Sequence, residues 1–133
     1  MRTKNLRLSS KRKANMAQRF FKPEEFSCKC GRAECDAVPV DMTAALKLEG
    51  LRLEFGEPMH INSACRCAFQ NGAVGGKSDS QHLFGRAFDI HCPDGVYMRR
   101  LIILALKHGF SIGVKARMLH LDVRPGVPVV FGY

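Results

Sequence analysis

The residue types that could do chemistry in this 133-residue chain are two histidines and an aspartate, and they sit in two short segments. In Ser80-Gln81-His82-Leu83-Phe84-Gly85-Arg86-Ala87-Phe88-Asp89, a loop delivers a histidine and a short strand then delivers a carboxylate. A second segment, Leu119-His120-Leu121-Asp122-Val123-Arg124, supplies a further histidine. Two imidazoles and one carboxylate form the donor set of a catalytic zinc site, in which three protein ligands leave the fourth tetrahedral position to water. His82, Asp89 and His120 are therefore assigned as ligands of one Zn2+ ion. Zinc in such a site lowers the pKa of bound water to about 7 and polarises a carbonyl, so the chemistry expected is hydrolysis of an amide.

Such a site needs two strands that present polar groups toward one place. If residues 86–91 are extended, side chains alternate, sending Phe88 and Ile90 into a core and Ala87, Asp89 and His91 to the opposite face. The same period puts Leu119, Leu121 and Val123 on the buried side and His120, Asp122 and Arg124 on the other. Gly85 permits a sharp turn between His82 and Asp89, and Ala87 keeps the approach to the metal open. Ser80 and Gln81 flank the ligand loop and are candidates to hydrogen-bond a peptide backbone.

Helices must support those strands. Over residues 41–55, Ala45, Leu48, Leu51 and Phe55 recur at helical spacing, with Asp41 as N-cap and Gly56 as stop. A second helix is predicted over 95–108, capped by Asp94 and ended by Gly109. Residues 59–64 and 110–114 read as strands, 115–118 as a turn, and 127–131 as an edge segment whose pairing Pro125 and Pro128 limit. His60 and His108 read as packed residues rather than ligands. The sum is an α+β fold: two main helices packed on a small, largely antiparallel sheet whose exposed face carries the zinc site.

The pattern Ser-x-His-x-x-Gly-x-Ala-x-Asp, followed by a distal His-x-Asp-x-Arg, resembles the D-alanyl-D-alanine carboxypeptidase-type zinc peptidases. That group includes peptidoglycan peptidases, phage endolysins and the hedgehog fold. Ile61-Asn62-Ser63-Ala64-Cys65-Arg66-Cys67 is similar to the family's Ser-Gly-Tyr-Arg segment, and Asn71-Gly72-Ala73-Val74-Gly75-Gly76 to its Asn-x-x-Val-Gly-Gly loop. Glu25-Phe26-Ser27-Cys28 with Cys30-Gly31 looks like the start of many phage-encoded members, so the resemblance covers roughly residues 21–124.

It implies a zinc metallopeptidase acting on the stem peptide of bacterial peptidoglycan, either as an L-alanyl-D-glutamate endopeptidase or as a D-alanyl-D-alanine carboxypeptidase. It also implies a phage or prophage lysis protein. Arg66 matches the family's arginine and would bind a substrate carboxylate through its planar donor fork. One position departs from the family. The general base usually precedes the last histidine by two or three residues, where this chain has Met118 and Arg117. Asp122, on the same strand face as His120, is the candidate base, with His91 in reserve; the other reading is that Asp122 orients His120 or pairs with Arg124. A non-catalytic, zinc-stabilised binding or virion structural protein with this fold is the alternative function.

Composition sets the partners. Lys plus Arg number 21 against 12 Asp plus Glu, a net charge of +9, which favours an anionic partner such as an envelope polymer. Nucleic acid rests on charge alone and ranks below it. Residues 1–18 carry Arg2, Lys4, Arg7, Lys11, Arg12 and Lys13 and read as a flexible basic arm, leaving 19–133 as the zinc peptidase domain. The apolar run of a secretory signal is missing after those charges, and no stretch is long enough to span a membrane. Synthesis in the bacterial cytoplasm and action on the wall after release are thus expected. Six cysteines, Cys28, Cys30, Cys35, Cys65, Cys67 and Cys92, stay open to three readings: reduced thiols, a second structural metal, or bridges formed after release.

Overall fold

The computed structural model describes residues 20–133, and the expected basic arm of residues 1–18 lies outside the described residues. Helix α1 (Met42–Phe55) begins where the Asp41 carboxylate accepts from the Ala44 amide at 2.9 Å. It ends at Gly56, whose φ of 75° is a left-handed conformation open to glycine. Ala45, Leu48, Leu51 and Phe55 are buried along its inner stripe, as the spacing predicts. Glu49 is buried too, and its carboxylate accepts from the amides of Phe20 at 3.1 Å and Phe21 at 3.2 Å, which ties the incoming chain to the helix.

Helix α2 (Ala68–Ala73) is a six-residue helix begun by Cys67, in a stretch whose sequence shows only a loop. Helix α3 (Gly95–Lys107) starts with the Asp94 carboxylate accepting from the Tyr97 amide at 2.8 Å and gives way at Gly109, φ 77°. No helix among the described residues is long and apolar enough to cross a membrane.

Five strands form one sheet: β1 (Ile61–Ser63), β2 (Ala87–His91), β3 (Ser111–Lys115), β4 (Met118–Asp122) and β5 (Val130–Gly132), in the order β1-β2-β4-β3-β5. Every neighbouring pair is antiparallel except β3 and β5, which run parallel. The register sets Asp89 opposite His120 and Gly113 opposite His120 from the other side. Phe88, Ile90, Ile112, Leu119 and Leu121 face α1 and α3 with no measurable exposure, and each such burial contributes about 1.5–3 kcal/mol.

The second face of the sheet departs from the sequence reading. It was expected to be exposed, yet Ala87, Asp89, His120 and Asp122 are 0–2% exposed. Over His120 and Asp89 the cover is the tail. Although Pro128 precedes it, the chain pairs with β3 through Ile112 N–H to the Val129 carbonyl at 2.8 Å and Tyr133 N–H to the Val114 carbonyl at 2.9 Å. That pairing swings the rings of Phe131 and Tyr133 over His120, at centroid separations of 5.6 and 4.5 Å. Gly113 makes room for them, since a Cβ there would lie 2.7 Å from the Phe131 ring and 3.0 Å from the Tyr133 Cβ.

Candidate metal centre

His82 arrives in a 3-10 turn (Gln81–Phe84) that Gly85 terminates with φ 68°. A side chain at Gly85 would strike the Pro39 carbonyl, so both the conformation and the space call for glycine. Asp89 is central in β2 and His120 stands opposite it in β4, so the strand register alone joins two of the three groups. The ligand-capable atoms of His82, Asp89 and His120 all lie within 4.8 Å of one another, and all three residues are buried.

The hydrogen bonds around the triad decide which atoms are free to bind. His82 Nδ1 lies 2.6 Å from the Ala64 carbonyl, an acceptor only, so this nitrogen carries the proton and donates. A neutral ring then turns the Nε2 lone pair toward Asp89 Oδ2, at 3.2 Å. His120 faces a carboxylate with each nitrogen: Nδ1 is 3.0 Å from Asp89 Oδ1 and Nε2 is 2.7 Å from Asp122 Oδ2. A neutral imidazole can donate to only one of them. With His120 neutral, acceptor atoms face one another around a common point, an arrangement that a proton or a metal ion between them resolves. His82 Nε2, an Asp89 oxygen and His120 Nδ1 could hold that ion, with Nε2–H of His120 donating to Asp122.

Asp122 lies behind His120. Its oxygens accept from Arg124 N at 3.0 Å, Arg124 Nε at 2.9 Å and the Arg124 terminal nitrogen at 2.6 Å, besides His120, and the residue is fully buried. Burial alone would raise both carboxylates, but the hydrogen bonds of Arg124 and His120 hold Asp122, and that of His120 holds Asp89, well below the ordinary carboxylate range. Burial works against the charged form of His120 as well, and Asp122 and Asp89 outweigh it, so this imidazole is raised.

Arg66 is buried and turned inward. Nε donates to Ser63 Oγ at 3.0 Å, one terminal nitrogen to Asn71 Oδ1 at 3.3 Å and the other to Asp89 Oδ2 at 3.0 Å, which leaves two N–H groups for other partners. Asn71 is fixed in turn by donating to the Lys77 carbonyl at 2.8 Å. Gly76 lets this happen, because a Cβ there would collide with the Asn71 side chain and lie 3.1 Å from the guanidinium.

The triad opens on a cleft of about 690 Å³, whose lining includes Arg66, Asp79, Ser80, Gln81, Met118 and Tyr133, together with the cations Lys77, Lys115 and Arg124. Ser80 Oγ accepts from the His82 amide at 3.3 Å, and Gln81 Oε1 accepts from Arg86 Nε at 2.6 Å. Asp122 and His91 are not among the lining residues; His91 is exposed at the end of β2. His60 is exposed, and His108 pairs with Glu54 at 2.9 Å, so neither approaches the triad.

Tyr133 was not singled out by sequence reasoning: it follows a three-residue strand that is too short to carry a periodic signal. Its hydroxyl donates to Asp89 Oδ2 at 3.3 Å and lies 3.4 Å from His82 Nε2, while its ring stacks on His120. Ser63 and Asn71 were visible as parts of motifs but not as supports of Arg66.

A family model described as Peptidase M15 matches residues 19–122. No curated protein matches the chain.

Proposed function

The chain belongs to the peptidase M15 family, and from that premise we propose that it is a zinc-dependent peptidase that hydrolyses an amide bond in the stem peptide of bacterial peptidoglycan. The observation that carries this reading is the convergence of His82 Nε2, Asp89 and His120 Nδ1, buried at the floor of a cleft, with each donor fixed by its own partner. Zinc held there would supply a hydroxide at neutral pH and polarise the scissile carbonyl.

The protein's own groups supply orientation. The Ala64 carbonyl holds the His82 tautomer, Asp122 backed by Arg124 holds His120, and Arg66 braced by Ser63 and Asn71 holds Asp89. In this reading Asp122 is a positioning residue. The carboxylate among the lining residues outside the triad is Asp79, which becomes the candidate to accept a proton from water. The Tyr133 hydroxyl, beside two ligand atoms, is placed to donate to an amide oxygen as charge develops on it. Lys77, Lys115, Arg124 and the two remaining Arg66 donors give the cleft a positive lining that suits a peptide bearing carboxylates, as both a D-glutamyl residue and a terminal D-alanine do. A role as a phage or prophage lysis protein, with attachment to anionic envelope polymers through the net charge of +9, completes the proposal.

One observation favours a second reading, a zinc-stabilised protein without catalysis: Met118 lines the cleft where a relative would carry its base. Digestion of purified peptidoglycan by the zinc-loaded protein separates the two. The peptidase releases fragments whose masses identify an L-alanyl-D-glutamate or a D-alanyl-D-alanine cut. Stoichiometric zinc with no fragments would overturn the enzyme reading.

A further inference from the structure

Four of the six cysteines meet at a second point in the fold. Cys28, Cys30 and Cys35 come from the segment after the 3-10 turn Pro23–Phe26, and Cys67 is the residue that caps α2. Their Sγ atoms all lie within 4.8 Å of one another. The Cys28 and Cys67 sulfurs are 3.7 Å apart, and all six cysteines are free thiols. A disulfide would place two sulfurs about 2.05 Å apart. Four Zn–S bonds of about 2.3 Å in a tetrahedron place them about 3.8 Å apart. The Cys28–Cys67 separation is that of two ligands on one ion, and the other sulfurs stand close enough to complete the shell.

At three of the four sulfurs the backbone is arranged for negative charge. The amide of Arg32 donates to Cys30 Sγ, that of Cys67 to Cys28 Sγ and that of Gln70 to Cys67 Sγ, each at 3.4 Å. Amide hydrogen bonds of this kind favour the thiolate and orient it, as outer-shell bonds do at metal sites. Cys65 and Cys92 are buried and are not members of the group.

We propose that Cys28, Cys30, Cys35 and Cys67 bind one structural Zn2+ ion, separate from the His82, Asp89, His120 centre. Four soft thiolates suit zinc and, being a closed set, leave no position for a reacting water. On binding, each thiol gives up its proton and forms one Zn–S bond, so up to four protons are released and nothing is oxidised or reduced. The ion would clip the segment before α1 to a residue 39 positions beyond Cys28. That residue, Cys67, follows Arg66, whose guanidinium holds Asp89, so the second ion braces one wall of the cleft.

The test starts from a His82→Ala/His120→Ala variant, which removes the first centre. Purified with zinc present and shown to be folded by circular dichroism, it should retain about one zinc per chain, with an X-ray absorption shell of sulfur at about 2.3 Å. The Cys30→Ser/Cys35→Ser variant of the otherwise native chain should lose that ion while keeping one zinc with nitrogen and oxygen neighbours at about 2.0–2.2 Å. A folded histidine variant without sulfur-bound metal would overturn the proposal. So would a native protein whose intact mass shows the loss of two hydrogens for each disulfide. If the cysteine variant fails to fold, the absorption shell of the histidine variant still decides, and it does so whether or not the protein hydrolyses peptidoglycan.

Discussion

His120 Nε2 lies 2.7 Å from Asp122 Oδ2, and Arg124 holds both oxygens of that carboxylate, at 2.9 Å through Nε and 2.6 Å through a terminal nitrogen. The chain Arg124, Asp122, His120 thus fixes the ring that offers Nδ1 to a metal. Asp122→Asn should weaken zinc binding about 10–100-fold, the usual cost of losing an outer-shell partner. A competition titration against a chromophoric chelator measures this. An Asp122→Asn protein that binds zinc normally but loses turnover would make Asp122 the base instead, whereas Asp79→Asn should lower turnover with zinc content unchanged.

Arg66 spends three different nitrogens on Ser63, Asn71 and Asp89. Arg66→Lys keeps the charge and loses the fork, so at least one charge-assisted bond goes unmade, at about 1.5–3 kcal/mol. Urea unfolding of the chelator-treated protein should show a loss of that order. An unchanged midpoint would mean that the guanidinium contributes only to substrate binding.

Tyr133→Phe removes a hydroxyl that is 3.3 Å from Asp89 Oδ2 and leaves the ring stacked on His120. If the hydroxyl stabilises charge on the amide oxygen, kcat should fall by about 10²-fold with KM and zinc content nearly unchanged. A rise in KM alone would assign the residue to substrate binding.

Gly113→Val places a branched side chain where Phe131 and Tyr133 now pass. Overpacking of this kind costs about 1–3 kcal/mol, and here the easiest relief is release of β5. Hydrogen exchange should show lost protection at the amide of Tyr133, which donates to the Val114 carbonyl, while α1 and α3 keep theirs. Uniform loss across the chain would contradict this.

Metal-free protein should be most stable in mildly acidic solution. Asp89 and Asp122 sit below their unfolded values, so their contribution is present above about pH 4 and is lost as pH falls through the folded values. His120 sits above its unfolded value, so its contribution is full below about pH 6.5 and disappears as pH rises through the raised value. Thermal melts of chelator-treated protein across pH check both flanks. A metal ion takes the place of the proton on His120 Nδ1, so zinc affinity should drop as pH falls below that raised value. Calorimetry of the Cys30→Ser/Cys35→Ser variant in two buffers of different ionisation enthalpy should detect the proton released at this centre.

Local rules made much of this protein legible in its sequence. The caps Asp41 and Asp94, the glycines at 56 and 109 and the 3.6-residue stripes between them specify α1 and α3 through neighbours a few positions apart. Alternation likewise separates Phe88 and Ile90 from Asp89, and Leu119 and Leu121 from His120, and few residue types can serve as zinc ligands, so the triad stood out. Tertiary structure decided what depends on chain closure. Only the parallel pairing of β5 with β3 turns an expected open face into a buried floor and brings Tyr133 to the site. Only the fold shows that Arg124 and His120 share Asp122 between them, because strand alternation puts those three side chains on one face without saying which atoms meet. Only the return of residue 67 to the 28–35 segment gathers four sulfurs, since a metal or hydrogen-bond site is defined by distances across the chain that no local pattern encodes.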